Sequence, residues 1–421
     1  MAGADPALSE AAYRHVARRI TRTLLAAQSL GSAGFLAAAT VNAIVGAQLS
    51  GRPSWAGLPS ATYQVGAALA ASGWGHAMDR FGRRPVLALG LGAGVAGATL
   101  AVAAVAGASF SMLLAGLALM GSANSALQLA RFVAAEVHAP AERGRAIARV
   151  VMGGTVGAIA GPLLTGPMGR LARSVGVDEL AGPYAASAVL FLVSALVILA
   201  GLRPDPGRIG REMARAAAGG APAEAARPLS LLLRQRGVRV AMATLIVAQV
   251  VMVMLMVITS LHMKDHHHPL GRIAAVISSH VVGMYAFSVV SGRLADRWGR
   301  GRTILCGATL LGLACLLAPL SPAALPLGLS LFLLGLGWNL CYVGGSSLLA
   351  DQLAPSERAR TQGFNDSLMG AAAATGSLGS GWVFAAVGYG AMGVVAAAAA
   401  LVPLGLAWRF ARPARPAALA S

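Results

Sequence analysis

Twelve runs of apolar residues divide this chain. Each is long enough to cross the ~30 Å hydrocarbon core of a bilayer as a helix. They cover residues 23–48, 56–78, 86–107, 110–136, 147–168, 182–202, 238–262, 272–294, 303–321, 326–350, 362–386 and 390–409. Inside hydrocarbon every backbone N–H and C=O needs an internal partner, and a helix supplies one within each segment. The composition agrees: 57% of residues are hydrophobic and 11% are charged, with a mean hydropathy of +0.69. A soluble surface takes roughly a quarter of its residues charged. Disorder needs low hydrophobicity, and three cysteines are too few for a disulfide scaffold. The expectation is an all-α membrane protein with twelve transmembrane helices in two six-helix bundles.

The net charge of +18 invites a nucleic-acid reading, which the distribution rejects. Lys264 is the single lysine, and the arginines gather in short clusters between apolar runs. No basic stripe interleaved with aromatics is present, so no nucleic-acid partner is expected. With the N-terminus inside, 27 of the 33 basic residues fall on the cytoplasmic side. Five (Arg52, Arg170, Arg173, Lys264 and Arg272) fall outside, and Arg131 lies within the fourth run. That asymmetry predicts both termini in the cytoplasm and a multi-pass protein of the cell inner (plasma) membrane.

The segments then read in order. Residues 1–22, with Arg14, Arg18, Arg19 and Arg22, form a cytoplasmic tail and no signal peptide. Residues 23–202 are an N-terminal six-helix bundle, and 203–237 a cytoplasmic linker with scope for an amphipathic helix on the membrane. Residues 238–410 are a C-terminal six-helix bundle and 411–421 a cytoplasmic tail.

The two bundles repeat each other. Gly75, Asp79, Arg80, Gly82 and Arg83 close the second run, and Gly292, Asp296, Arg297, Gly299 and Arg300 close the eighth, at an offset of 217. Ala139-Pro-Ala-Glu-Arg143-Gly-Arg145 matches Ala354-Pro-Ser-Glu-Arg358-Ala-Arg360 at an offset of 215. Glu136 with Asp351, and Asn124 with Asn339, share that second offset. Two matches at nearly one offset indicate a duplicated six-helix unit. An even helix number makes the repeats parallel, as in rocking transporters with a site between halves.

These residues resemble the major facilitator superfamily, whose G-x-x-x-D-R-x-G-R-R signature stands at Gly75–Arg84 with Ala77 in place of the usual leucine. The resemblance covers the whole chain and implies secondary transport by a monomer, with small-molecule or metal-ion cargo and a lipid bilayer as surroundings. It assigns Asp79 to a latch that receives the positive end of the eleventh helix while Arg83 orients the carboxylate. Gly157, Gly161, Pro162 and Gly166 in the fifth run are similar to the family's antiporter motif, with Thr165 replacing one glycine. Small residues four apart also serve plain helix packing.

Ionisable residues inside the membrane are functional candidates. Arg131 precedes Glu136 by five residues, and the expectation pairs them, with anion binding or proton coupling as the alternatives. Arg143, Asp351 and Arg358 complete the charge pairs of the two repeats, and Asp366, beside Asn365, is the candidate for coupling. Met252 and Met256 lie one turn apart in the seventh run, as do His280 and Met284 in the eighth. Thioether and imidazole suit monovalent copper. The loop between these runs holds His262, Met263, His266, His267 and His268, a candidate for metal capture from outside. Methionine as ordinary filler is the competing reading. The M-x-x-x-M and H-x-x-x-M pair resembles the CcoA-type copper importers within the superfamily, and this implies that Met252, Met256, His280 and Met284 carry copper inward. Related branches carry other cargo, riboflavin included, and the helix-five motif keeps proton-coupled export of amphipathic organic molecules open. Cys306, Cys315 and Cys341 form no C-x-x-C and read as packing residues, with Cys341 open as a transit ligand. No enzyme constellation, resident cofactor or ATP-binding loop is visible.

Overall fold

The computed structural model describes residues 10–138, 142–209 and 227–411. Among these the chain is helical, with no strand. Helix α1 runs Glu10–Ala39 and α2 Asn42–Ser50, followed by a 3-10 turn at Pro53–Trp55. Then come α3 (Leu58–Phe81), α4 (Arg83–Ala106), α5 (Phe110–Gln128), α6 (Ala130–Glu136), α7 (Arg143–Ser174) and α8 (Ala181–Gly201). The second repeat contains α9 (Leu229–Leu232), α10 (Arg236–Asp265), α11 (Leu270–Tyr285), α12 (Ser288–Trp298), α13 (Arg300–Leu317), α14 (Ala324–Asp351) and α15 (Pro355–Ala411).

Ten stretches are long and apolar enough to cross a membrane. One of them, Thr361–Phe410, holds Gly388 at φ 73°, ψ 176°, which breaks the helical path between two of the expected spans. Helix α3 falls outside the ten because Ser60, Thr62, Tyr63, Gln64 and Ser72, as well as His76, Asp79 and Arg80, lower its hydropathy. Counting both, the twelve expected helices are accounted for. Three spans are interrupted: the first at residues 40–41, the fourth at Leu129 and the eighth at residues 286–287.

In the segment expected as the N-terminal tail, α1 begins at Glu10 and continues into the first span. Ala17, Ile20, Thr21 and Leu24 are buried at helical spacing while Arg14, Arg18, Arg19 and Arg22 are exposed, so the segment is an amphipathic extension of the helix. The expected amphipathic helix of the linker, for residues 210–226, and the C-terminal tail beyond Ala411 lie outside the described residues.

The chain divides into two compact units, one of residues 10–38 with 65–209, the other of residues 39–64 with 227–411. In the first, α4 packs on α5 and α8 through small residues: Gly94 meets Ala123 and Phe191, and Gly97 meets the Gly116 carbonyl. Helices α1 and α7 form a second close seam. Gly153, Gly157 and Gly161 face the carbonyls of Leu25, Ser29 and Ala33, and the Thr165 hydroxyl donates to the Ala37 carbonyl (3.4 Å). Four contacts at four-residue spacing on both helices let backbone lie on backbone.

In the second unit α10 packs chiefly on α15 and α14, α11 on α14, and α13 on α14 and α15. Residues 39–64, though early in the sequence, belong to this unit: α2 lies against α10, and the Ser377 hydroxyl donates to the Gly57 carbonyl (2.9 Å). Leu232, Val238, Ala241, Ile304, Leu349 and Ala407 form a buried cluster at the end of this unit that carries α9.

Candidate functional site

The two signature loops build matching charge networks. In the first, Arg83 holds Glu136 through both carboxylate oxygens (Nε–Oε2 3.0 Å, Nη2–Oε1 2.9 Å). Its third nitrogen reaches Asp79 (2.9 Å) and donates to the Met78 carbonyl (2.6 Å). In the second, Arg300 joins Asp351 (3.0 Å), Asp296 (2.7 Å) and the Ala295 carbonyl (2.8 Å). The arginine turns back because Gly82 (φ 95°) and Gly299 (φ 88°) take a backbone shape that L side chains resist, so the next helix starts on a sharp corner. Asp79 and Asp296 stay 76% and 73% exposed, held from one side and open on the other. Gly75 and Gly292 face open space, and Arg80 and Arg297 are exposed, Arg80 lying over the Phe81 ring.

The expected pairing of Arg131 with Glu136 is corrected: Glu136 belongs to Arg83. Arg131 lies over the Phe132 ring (4.9 Å), and its Nε is buried without a hydrogen-bond partner. The side chain of Arg358 lies outside the described residues, and Arg143 donates to the His138 carbonyl (3.3 Å). The carboxylate that the second A-P-x-E-R motif anchors is Glu357. It is buried, takes Arg227 of the linker on both oxygens (2.6 and 2.8 Å) and receives the Ala354 N–H (2.9 Å) at the start of α15. That reach from the third helical position back to the cap residue is half of a capping box. Arg227 lowers the Glu357 carboxyl to a pKa of about 2. Asp205 also escaped the sequence reading: it accepts the Arg84 N–H (2.9 Å) and lies over Gly82, and a Pro-Asp-Pro-Gly turn was its only signal.

The four residues of the expected copper site lie on two helices, α10 and α11, that touch each other and share α14 as a neighbour. Met252 is buried and Met256 half-buried on α10, which packs chiefly on α15 and α14. His280 is 0% exposed and faces α14, where its Nδ1–H donates to the Leu331 carbonyl (2.9 Å). Gly335 and Gly283 bring those two backbones into close approach, at His280 and at Phe332. The His280 Nε2 is buried and has no partner. Met284 is buried on the same helix, its carbonyl held by Asn339 (2.6 Å). Cys341 is buried, its thiol toward the Ile304 carbonyl (3.9 Å).

The residues of the expected capture loop lie around the turn that follows α10. Among the described residues no three of His, Cys, Asp and Glu stand where they could hold a metal ion. His266 donates to the His262 carbonyl (2.9 Å), His268 to the Pro322 carbonyl (2.9 Å), and Met263 is fully buried. His262 stacks on Tyr389 (centroids 4.1 Å, planes 7° apart), and His267 is exposed with φ 59°. One ring nitrogen of His266 and one of His268 are tied to the backbone, because the tight turn leaves carbonyls that need donors. Asp366 is exposed one turn into its span and accepts from Gln362 (3.0 Å), while Asn365 is fully buried with both polar atoms unpartnered.

A second group of residues was not singled out in the sequence. Tyr285 ends α11 where the eighth span breaks, with the exposed Ala286 and Phe287 next to it. Trp338, midway along α14, meets Tyr285 edge-on (6.4 Å) and stacks on Tyr342 (4.8 Å, planes 16° apart). Gln249 of α10 accepts the Trp338 indole N–H (2.9 Å), and Tyr342 is 36% exposed. Asn339 pins the break itself: it donates to Met284 and to Ser288 (3.0 Å) and accepts from Ser291 (2.5 Å). Interrupted helices with small polar groups at mid-span are where transporters of this build place their cargo. Trp338 is 7% exposed, so the part of the group open to contact is chiefly Tyr342, an apolar ring with a polar edge.

A model of the Major Facilitator Superfamily matches residues 23–269 and 240–421. The chain belongs to this superfamily. It is 34% identical over 372 residues to the uncharacterized MFS-type transporter YdeG of Bacillus subtilis (87% of this chain, 86% of that one). It is 29% identical over 358 residues to the riboflavin transporter RfnT of Brucella anthropi (84% and 86%). Among solved structures, the nucleoside transporter NupG superposes with a TM-score of 0.67 at 15% identity (94% of this chain, 100% of that one). The human organic anion transporter MFSD10 gives 0.63 at 18% identity (93% and 99%), so both carry the fold alone. The chain is thus a multi-pass membrane protein of a transporter family.

Proposed function

We propose that this protein is a secondary transporter that moves a small planar aromatic molecule of the flavin kind across the inner membrane by alternating access. One observation carries the reading: the Tyr285–Trp338–Tyr342 ring group, with Gln249 on the indole, beside the break in the eighth span. A planar heterocycle gains offset stacking on such a surface and hydrogen bonds at its edge. The relation to a riboflavin transporter over most of both chains supports the same cargo class. In this reading Asp79 and Asp296 are the latches of the transport cycle, held ready by Arg83 and Arg300.

Inward copper transport is the second reading, and the unpartnered His280 Nε2 favours it. A neutral imidazole donating from Nδ1 presents its lone pair at Nε2, as a metal ligand does. Against it stands the packing of α10, which lies chiefly on α15 and α14 and only lightly on α11. The test is exchange in proteoliposomes preloaded with riboflavin, followed with labelled riboflavin, with a parallel arm using labelled Cu(I). The proposal expects flavin exchange that falls at least about tenfold in Trp338→Leu, the loss of roughly one stacked ring. Copper uptake that depends on His280, with no flavin exchange, would replace it by the second reading.

A further inference from the structure

On the arginine-rich side of the first unit, a hollow of about 340 Å³ lies between the start of α1 and the start of α7. Arg14 and Arg18 line it from α1, and Arg145 and Arg149 from α7. His138, Tyr13 and Glu142 complete the polar rim, and Ala17 and Ala146, both buried, floor it. The Tyr13 hydroxyl donates to the Val137 carbonyl (2.9 Å) and Arg143 to the His138 carbonyl (3.3 Å), so α1 and α7 are both tied to the segment that ends α6. We propose that this hollow binds the anionic headgroup of a membrane phospholipid.

The charge makes the first argument. Each wall carries two arginines four residues apart, the spacing at which like charges repel on a helix. Arg18, Arg145 and Arg149, all exposed, therefore face one hollow beside Arg14, with Glu142 the carboxylate among its lining residues. A phosphate diester relieves that repulsion, and a planar guanidinium grips it through paired N–H groups.

The internal repeat shows that the fold does not require this arrangement. At the shared offset of 215, Glu357 stands for Glu142 and Phe364 for Arg149. Glu357 is buried and neutralised by Arg227, whereas Glu142 is exposed. Arg14 and Arg18 likewise meet Leu229 and Leu233 at that offset, so the two walls of arginines are a feature of the first repeat.

Placement selects a lipid over a soluble anion. The apolar spans containing α1 and α7 begin at Tyr13 and Arg145, so the hollow sits where the chain leaves hydrocarbon. Basic pockets at that level, between transmembrane helices, suit anionic headgroups. Along α7 the face that bears Arg145 and Arg149 continues through Met152, Val156 and Leu163, all exposed and all apolar. A headgroup in the hollow leaves its acyl chains along that stripe.

The test uses the full-length protein in neutral detergent and native mass spectrometry, titrating phosphatidylglycerol and, separately, phosphatidylcholine. The expected result is retained phosphatidylglycerol and little phosphatidylcholine. The paired change Arg18→Gln with Arg149→Gln should weaken phosphatidylglycerol at least about tenfold. The exposed pair Arg234→Gln with Arg302→Gln, equal in charge and remote in sequence, should leave it unchanged. If the first pair does not elute as folded protein, Arg149→Gln alone carries the same expectation. Equal binding of both lipids, or equal loss in both pairs, overturns the proposal. Displacement of the lipid by millimolar inorganic phosphate or glycerol phosphate also overturns it, since the hollow would then hold a soluble anion.

Discussion

A methyl group added at Gly157 would stand 2.0 Å from the Ser29 carbonyl oxygen and 2.9 Å from the Ala33 nitrogen. Ordinary contact needs about 3.4 Å or more, so the α1–α7 seam must open by more than about 1 Å at its centre. Neither neighbour is the end of a flexible side chain, and both backbones are fixed by their own helices. Overpacking of this kind costs about 1–3 kcal/mol. The opening also weakens the seam at Gly153, Gly161 and Thr165. Alanine recovers about 1 kcal/mol of helix propensity, so Gly157→Ala should destabilise by ~0–2 kcal/mol. Gly92 supplies the contrast: it lies within α4, exposed, with nothing inside 4 Å of the same built methyl. Gly92→Ala should therefore keep the propensity gain alone. Thermal unfolding of the purified protein, with tryptophan fluorescence as the signal, should lower the midpoint for Gly157→Ala and leave it equal or higher for Gly92→Ala. Equal upward shifts in both would refute the reasoning, because the backbone-to-backbone seam would then carry no packing constraint.

Asn339→Ala removes three hydrogen bonds that hold the break between α11 and α12. At about 0.6 kcal/mol each within a membrane, the loss is ~2 kcal/mol, and protease access at residues 286–287 should rise. Glu357 has its folded pKa depressed from 4.5 to about 2, so its contribution is present above the ordinary value and lost as pH falls through the folded one. Glu357→Gln should accordingly flatten the fall in stability between about pH 4.5 and 2 in acid-unfolding curves. Asp79→Asn should slow exchange of any cargo while leaving equilibrium cargo binding intact, since the carboxylate belongs to the Arg83–Glu136 network and not to the ring group. Paired exchange and binding assays separate the two effects.

The fold was legible because the signals that set it are dense and local. Apolar run length marked the spans, and the repeated Gly-Asp-Arg-Gly-Arg loops marked the duplication before any geometry was known. Partner choice across helices was not legible in the same way. Glu136 stands five residues from Arg131, yet it pairs with Arg83, 53 positions away, because the Gly82 corner aims that guanidinium at it. Histidine at i, i+4 from methionine looks like a ligand pair on one helix. Whether the ring has a free nitrogen depends on the neighbouring helix, and for His280 the Leu331 carbonyl takes one of the two. Tyr285, Trp338 and Tyr342 escaped because two of them sit on α14 and one on α11, with no shared motif. Glu357 was visible as part of a repeat, but its partner Arg227 lies in the linker, where seven arginines looked alike.

The central claim is that the ring group of the second repeat receives a planar aromatic cargo. The most direct measurement is equilibrium titration of the purified protein with riboflavin, reading quenching of tryptophan fluorescence. The account predicts saturable quenching that is lost in Trp338→Leu and retained in His280→Ala. Saturable quenching that survives Trp338→Leu, or the absence of flavin binding together with Cu(I) binding abolished by His280→Ala, would contradict it.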